Sequence, residues 1–332
     1  MDGKPYDAVI VGGGPAGLGA AIALARSLRS VLVVDAGQPR NAPAEGAHNV
    51  LGHEGISPLK LLEEGRREAL AYGVRFLSGE ATTAAHDDGA FSIGVVVQDG
   101  EPAVVVRSRR LVLATGLVDV LPDVDGLHRG WGHSMLHCPY CHGWEVRGQR
   151  IGILASDARA VHQALLFGQL SDAVTVLPGW TDQASGAPGV SWAPGDEAEL
   201  LEAAGVGLAG SPVTRFEFAG QELSAAVLQD GTRLELDALA VAPVFAARTG
   251  LYEQLGGEAV EHPMGVMIPS DPMGKTEVPG VWVAGNAQNL AAMVSVASGS
   301  GVQAGAGVNA ELAMHDARAR IATPKPAPAG LS

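Results

Sequence analysis

The two cysteines are the residues whose types and spacing most clearly indicate chemistry. The chain of 332 residues contains only Cys138 and Cys141, in the segment HCPYCH at 137–142. Two intervening residues allow a small disulfide ring to open and close with little movement of the backbone, and Pro139 stiffens the turn. Because a framework of structural disulfides needs more pairs, we expect a disulfide here to be redox-active.

The neighbours of the cysteines include groups that can activate a thiol. A helix is expected to begin at the pair, and its N-terminus would stabilise a thiolate. His142 adjoins the second thiol and is the candidate general base, with His137 as the alternative. Glu145 is a candidate to orient the imidazole, although an ordinary solvated helix residue is an equally good interpretation.

Two other interpretations of the segment are open. The histidines and cysteines offer four metal ligands, but they are too contiguous to surround one tetrahedral ion, and no second cluster has zinc spacing. We therefore expect no metal. Inert buried thiols are the other alternative, and structural cysteines seldom form such a pair beside nucleotide-binding folds.

A glycine-rich turn near the N-terminus predicts a dinucleotide site. The turn GGGPAG at 12–17 follows an apolar strand at 6–11 and precedes a helix at 18–28, and a second strand at 30–34 ends at an acid. Glycines permit the tight turn, the approach of a pyrophosphate and close packing of the helix, and the acid accepts hydrogen bonds from a ribose. The predicted contacts are Gly12, Gly14, Pro15, Ala16, Gly17 and Asp35.

A second strand–helix–strand pattern predicts a second domain of the same class. It comprises strands at 150–154 and 173–177 around a helix at 158–170. A late strand at 281–284 and a small-residue helix at 293–313 resemble the completion of the first domain. The predicted fold class is therefore α/β with two Rossmann-like nucleotide-binding domains. We assign 1–118 and 245–332 to the first, discontinuous domain and 119–244 to the inserted one, with a disordered tail at 323–332.

Charge and hydropathy limit the partners. The net charge of −14 disfavours nucleic acids and anionic membranes, which select clustered Lys and Arg. No apolar run approaches the roughly 18 residues of a membrane span, so we expect none. The chain begins without the pattern of a signal peptide, and with so few cysteines we expect a cytoplasmic, reducing location.

Together these motifs resemble the low-molecular-weight thioredoxin reductase family over nearly the whole chain. The resemblance rests on the glycine turn, Ala114-Thr115-Gly116, the cysteine pair and the segment WVAGN at 282–286. It implies three-layer ββα domains, FAD in the discontinuous domain, the cysteines in the inserted domain, and a homodimer. The family has an acid where this chain has Asn286. The flavin-domain residues so implied are Arg40, Asn49, Ala81, Thr115, Gly116, Gly285, Asn286 and Val294.

One departure from the family concerns NADPH. Aligning 151–160 on the family's second glycine motif puts Ala155 and Asp157 at the two glycines, so that a methyl group narrows the turn and a carboxylate stands where a pyrophosphate would lie. The next strand is followed by Pro178-Gly179-Trp180 instead of a basic clamp for a 2′-phosphate. We therefore expect that the inserted domain does not bind NADPH.

The other departure concerns the cysteine segment, where His142 replaces the family's acid. The form CPYCHGWE at 138–145 resembles the flavin-dependent dithiol oxidases that close disulfide natural products such as gliotoxin, holomycin and romidepsin. This resemblance implies that a small-molecule dithiol reduces the protein disulfide, that the thiols reduce FAD, and that O₂ reoxidises FAD to give H₂O₂. By family analogy Cys141 is the thiol on the flavin side. A disulfide reductase with a donor other than NADPH, and a flavin-binding redox sensor without turnover, are the alternatives.

Overall fold

The computed structural model describes residues 4–87, 89–98, 102–181, 188–191 and 195–322, and the tail predicted at 323–332 lies outside them. The chain divides into two compact units. The first contains the residues up to Arg40, then Leu59–Leu117, then those from Ala247 onward, and the second contains Asn41–Pro58 and Val118–Ala246. The sequence analysis placed 41–58 in the first domain, and this is a correction. The segment lacks hydrophobic periodicity, and its side chains bond to the cysteine turn of the second unit, as described below.

The first unit is built on a sheet of β1 Tyr6–Val11, β2 Val31–Asp35, β3 Arg75–Asp87, β4 Ala90–Val97, β5 Val104–Leu113 and β20 Val281–Val283. The unit also contains the strands β18 Val260–His262 and β19 Gly265–Met267, which pair with each other. Its helices are α1 Pro15–Arg26, α2 Pro58–Ala71, α7 Gly250–Gln254 and α8 Val294–Ala322. The parallel order is β3-β2-β1-β5-β20, and the far ends of β3 and β5 pair with β4 in antiparallel fashion. Alternate residues of β1 and β2 pack against α1 and α8 in one buried core.

The elements around the glycine turn agree with the sequence predictions. The strands at 6–11 and 31–35 are confirmed, and the turn connects the first of them to α1. This helix begins at Pro15 instead of Leu18, because proline fits the first helical position, where its missing N–H has no partner to lose. The late strand is confirmed as β20. The following helix, predicted at 293–313, continues to Ala322.

The second unit contains two sheets. Its strands are β7 Met135–Leu136, β8 Ile151–Leu154, β9 Val174–Leu177, β10 Gly179–Thr181, β11 Pro188–Ser191, β12 Gly207–Leu208, β13 Val213–Ala219, β14 Glu222–Leu228, β15 Arg233–Glu235 and β16 Ala238–Val241, with β6 Leu117–Val120 and β17 Val244–Ala247 where the chain passes between units. Its helices are α3 Leu127–Gly130, α4 Pro139–His142, α5 Arg159–Phe167 and α6 Ala198–Ala203. The parallel sheet has the order β12-β9-β8-β16-β7, and the other sheet has the order β11-β10-β13-β14-β15.

The parallel sheet of the second unit is buried on both faces. Ile151 and Ile153 of β8 pack with α5 on one face, while Leu154 packs with Phe216 of β13 on the other. Burial on both faces explains why the predicted strands near 150 and 175 consist of almost continuous apolar residues. No helix among the described residues is long and apolar enough to span a membrane.

Candidate active site

The cysteine pair lies at the start of the short helix α4. Cys138 is the N-cap residue with an extended backbone, and Pro139 takes the first helical position. The backbone N–H groups of Cys141 and His142 both donate to the carbonyl oxygen of Cys138, at 3.2 Å each. The two sulfur atoms face each other at 2.6 Å and are partly exposed. The predicted helix start is therefore confirmed, and it holds both thiols in position to exchange a disulfide.

His142 presents an imidazole nitrogen with an unused hydrogen-bonding capacity. Its Nε2 atom is buried and has no hydrogen-bond partner among the described residues. Burial lowers the pKa of His142 below its usual value, the negative charge of Glu145 opposes this, and His48 adds to the lowering. The imidazole is therefore neutral at neutral pH and can accept a proton.

A loop remote in sequence brings a second imidazole to this turn. Nδ1 of His48 lies 2.8 Å from Oε1 of Glu54, and the backbone N–H of Asn49 donates to the other Glu54 oxygen at 2.9 Å. Nε2 of His48 lies 3.6 Å from Oε1 of Glu145. The rings of His48 and His142 meet edge to face, with centroids 6.4 Å apart. The hydrogen bond from His48 lowers the pKa of Glu54, which stays ionised.

The same loop is tied directly to the cysteine turn. The side-chain amide of Asn49 donates to the carbonyl oxygen of Tyr140, at 2.8 Å, between the two cysteines. Asn49 has a φ of +59°, a left-handed conformation that asparagine tolerates better than most residues. Sequence reasoning treated the loop as a flavin contact and missed Glu54 and the role of His48. Only the pairing of a histidine with a carboxylate six residues on could have suggested them.

His137 is held by the sheet beside the cysteine turn. Its Nδ1 lies 2.9 Å from the carbonyl oxygen of Val241, its ring packs edge-on against Phe245, and its own carbonyl accepts a hydrogen bond from Gln163. Nδ1 therefore carries the proton in the neutral ring. Glu145 is partly exposed, and its Oε1 atom lies 3.6 Å from Nε2 of His48. Among the described residues, no group of three or more His, Cys, Asp or Glu is placed to hold a metal ion.

The glycine turn of the first unit has the geometry of a phosphate cradle. Gly12 has a φ of +109°, and a Cβ there would lie 2.2 Å from the carbonyl oxygen of Ala114. A Cβ on Gly17 would lie 1.9 Å from the carbonyl oxygen of Gly12, whereas Gly14 faces open space. The N–H of Gly13 donates to Asp35 at 3.2 Å. Helix α1 begins after Gly14 without a side-chain cap, so its first N–H groups point to that space.

The remaining predicted flavin residues lie mostly at turns of the first unit. Gly116 and Gly285 have φ values of +68° and +71°, and Thr115 donates to the carbonyl of Arg248. The side-chain amide of Asn286 donates to three backbone carbonyls, those of Asn289, Leu290 and Ala292, at 3.0–3.4 Å. An aspartate has no such N–H and could not donate these bonds. Arg40 ends the first segment of this unit, and Ala81 lies on β3. Pro15 and Ala16 lie in the first turn of α1, and Val294 lies in the first turn of α8. Asn49, in contrast, lies in the second unit.

Comparison with known proteins identifies the family. The chain matches the model of the family described as pyridine nucleotide-disulphide oxidoreductase over residues 6–301. The chain belongs to this family. It is 32% identical to the thioredoxin reductase sirT of Leptosphaeria maculans over 95% of this chain and 97% of that one, and 34% identical to the thioredoxin reductase tcpT of Claviceps purpurea over 84% and 86%. The crystal structure of HlmI matches with a TM-score of 0.85 and 35% identity, over 97% of this chain and 96% of that one.

The family assignment confirms the resemblance to thioredoxin reductases, the α/β fold and the cofactor. Members of this family bind FAD, and the chain is a flavin-dependent oxidoreductase. The glycine turn fits the group, because Gly14 leaves room for a pyrophosphate and Asp35 stands beside the turn for a ribose. When bound, FAD supplies a two-electron acceptor that thiols can reduce.

The second nucleotide motif of the family is altered in its geometry here. The carboxylate of Asp157 accepts a hydrogen bond from the backbone N–H of Arg159 at the start of α5, at 2.8 Å, and forms an ion pair with the Arg159 guanidinium at 2.7 Å. Burial raises the pKa of Asp157, but the bonds to Arg159 outweigh this effect and lower the pKa below its usual value. The carboxylate is therefore charged. Ala155 is fully buried before this turn. The helix N-terminus that would face a pyrophosphate thus already holds an anion.

Proposed function

We propose that this protein is an FAD-dependent oxidase that converts a small-molecule dithiol to its disulfide, with O₂ as the final acceptor. The observation that carries the proposal is the buried Nε2 atom of His142, which has no hydrogen-bond partner among the described residues and belongs to the residue that follows the cysteine pair. In the overall reaction the dithiol loses two electrons and two protons, one S–S bond forms, and O₂ becomes H₂O₂. FAD, held at the glycine turn beside Asp35, would supply the two-electron carrier between the thiols and oxygen.

The residues of the cysteine turn perform the thiol exchange in this proposal. His142 takes the proton of a substrate thiol, because an unperturbed thiol is mostly protonated at neutral pH and only the thiolate attacks a disulfide. The thiolate attacks one sulfur of the protein disulfide, and the other cysteine leaves as a thiolate. The second substrate thiol then attacks the mixed disulfide, which releases the substrate disulfide. By family analogy, Cys138 exchanges with the substrate and Cys141 faces the flavin.

The geometry of the second nucleotide motif supports this direction of electron flow. An enzyme reduced by a dithiol does not require NADPH, and Asp157 places a charged carboxylate at the helix terminus where NADPH would need its pyrophosphate. Trp180 and its neighbours after β9 supply no cation for a 2′-phosphate. We further propose a cytoplasmic homodimer, as the family resemblance implies.

Oxygen consumption tests the proposal against its alternatives. The purified protein with FAD, mixed with a small dithiol in air, should consume O₂ and yield about one H₂O₂ per disulfide formed. Cys138→Ser and Cys141→Ser, each with FAD bound, should lose this turnover. A disulfide reductase or a redox sensor would show no sustained consumption of O₂. Full consumption by both serine variants would mean that thiols reach the flavin directly, and the proposed electron path would be wrong.

A further inference from the structure

The loop at 46–56 places a carboxylate–imidazole pair beside the proposed base. An antiparallel bridge between Ala47 and Ile56 closes the loop, and the Asn49 amide fastens it to the Tyr140 carbonyl inside the cysteine turn. Glu54 binds the His48 ring with one oxygen and the Asn49 backbone with the other, so that the ring has one defined orientation. His48 is therefore attached to the cysteine turn and does not simply lie on the surface.

The hydrogen bond to Glu54 fixes the tautomer of His48. An ionised carboxylate only accepts hydrogen bonds, so Nδ1 of His48 carries the proton and Nε2 is the accepting nitrogen. That nitrogen lies 3.6 Å from Oε1 of Glu145, and the rings of His48 and His142 meet edge to face with centroids 6.4 Å apart. A proton on Nε2 would give an imidazolium ion between the carboxylates of Glu54 and Glu145, an arrangement that opposite charges stabilise.

The thiol exchange releases more protons than one imidazole can hold at a time. Converting a dithiol to a disulfide while the protein disulfide opens to two thiolates releases two protons. To receive them, His142 offers one buried nitrogen that has no hydrogen-bond partner within the described part of the chain. The first proton must leave His142 before the second can be accepted. The cluster at this site consists of Glu54, Glu145, His48 and His142. It carries two negative charges when both imidazoles are neutral, so it can take both protons without becoming positive.

Resting on the dithiol oxidation proposed above, we propose that His48, oriented by Glu54, receives the proton that His142 takes from the first substrate thiol. The proton passes between the rings directly or through one bridging water, which frees His142 for the second thiol. His48 and Glu54 are positioning residues, since they act through His142. The charged groups beside this pair are the carboxylates of Glu54 and Glu145, and the hydrogen bond from Asn49 to the Tyr140 carbonyl joins the loop to the cysteine turn.

The pH dependence of single-turnover flavin reduction by a small dithiol, without oxygen, tests the inference. If His48 takes the proton from His142, the pH profile of the wild-type rate should differ from that of His48→Asn. His48→Asn should slow the reaction at neutral pH about tenfold or more and make the acid limb of log rate against pH less steep. Glu54→Gln, which keeps an acceptor for the Asn49 N–H but removes the charge, should slow it in the same direction. His128→Asn, which removes an exposed histidine of α3 in the same unit, is the matched control and should leave slope and rate unchanged.

Alkylation of the reduced protein separates failure of this inference from failure of the proposed function. The pH profile of iodoacetamide labelling reports the thiolate fraction and requires no substrate. His48→Asn should lower the labelling rate at neutral pH about threefold to tenfold, because the acceptor that leaves a cysteine ionised is lost. If dithiols do not reduce the flavin but the profile shifts, the oxidase function fails and the imidazole pair stands. If dithiols reduce the flavin and His48→Asn changes neither slope nor labelling, the proposed relay is wrong.

Discussion

At the scale of single residues, the chemistry of the site depends on which polar atoms lack partners. His137 and His142 flank the same cysteine pair in sequence, yet the sheet binds the Nδ1 atom of His137. Nε2 of His142, by contrast, is buried and has no hydrogen-bond partner in the part of the chain that the structure describes. The cysteine–histidine adjacency was visible in the sequence, as was the helix start. The approach of His48 and Glu54 was not, because nearly ninety residues separate them from the cysteines and hydrophobic periodicity carries no signal for such a loop.

Removal of the His142 imidazole should affect the thiol step and its pH dependence. Burial lowers the pKa of His142, so the neutral form persists as pH falls through the usual range of histidine and is lost only at lower pH. We expect His142→Ala to slow flavin reduction by a dithiol about 10²-fold. Reoxidation by O₂ should change less. Stopped-flow measurements across a range of pH check this, and an unchanged rate and profile would make His137 the base to test.

At the scale of elements, the cofactor site depends on close contact between α1 and α8. Small residues allow it: a Cβ on Gly301 would lie 1.9 Å from the carbonyl oxygen of Ala16, and one on Gly305 would lie 2.8 Å from that of Ala20. The sequence predicted both helices from their composition and position. It did not predict the antiparallel pairing of β4 or the long β3, whose exposed and buried residues do not alternate regularly. Those pairings depend on contacts distant in sequence.

Two glycines of α8 give a matched pair of substitutions. Gly301→Ala places a methyl group against the α1 backbone, so we expect a loss of about 1–3 kcal/mol in the free energy of unfolding and weaker retention of FAD. Gly299→Ala, two residues away, meets no atom within 4 Å and should stabilise the helix by about 0.5–1 kcal/mol. Denaturant unfolding and measurement of bound FAD check both. Equal effects of the two substitutions would contradict the close contact.

At the scale of the whole molecule, the two units carry different parts of the chemistry. The glycine turn and Asp35 belong to the first unit, and the cysteine turn with its histidines belongs to the second. The sequence predicted this division because each unit has its own strand–helix–strand pattern. It misplaced 41–58, the loop that completes the cysteine site, since a segment without periodicity gives no indication of the unit to which it packs.

Separation of the two sites predicts that the cysteines are not needed for cofactor binding. Cys138→Ser and Cys141→Ser should each be purified yellow, with FAD released on denaturation in about the same molar ratio as from the wild-type protein. Absorbance of the denatured supernatant and chromatography of the released flavin measure this. Loss of FAD from both variants would show that the cysteine turn supports the cofactor, and the division of roles would need revision.

The second unit should also fail to bind a reduced nicotinamide cofactor tightly. The Asp157 carboxylate already accepts the backbone N–H of Arg159 at the start of α5, the position that a pyrophosphate would need. Titration calorimetry of the wild-type protein with NADPH and NADH should therefore show no binding at micromolar concentrations, about the level at which typical enzymes bind their substrates. Micromolar binding of either cofactor would contradict this interpretation of the motif.

Anaerobic reduction of the bound flavin by two alternative donors distinguishes a dithiol oxidase from an NADPH-dependent reductase. The oxidised protein is mixed in a stopped-flow instrument with either a small dithiol or NADPH, and the loss of flavin absorbance is followed. We expect rapid bleaching by the dithiol, loss of this bleaching in Cys138→Ser, and bleaching by NADPH slower by about 10²-fold or more. Rapid bleaching by NADPH together with a negligible rate for dithiols would rule out the oxidase and identify an ordinary NADPH-dependent disulfide reductase.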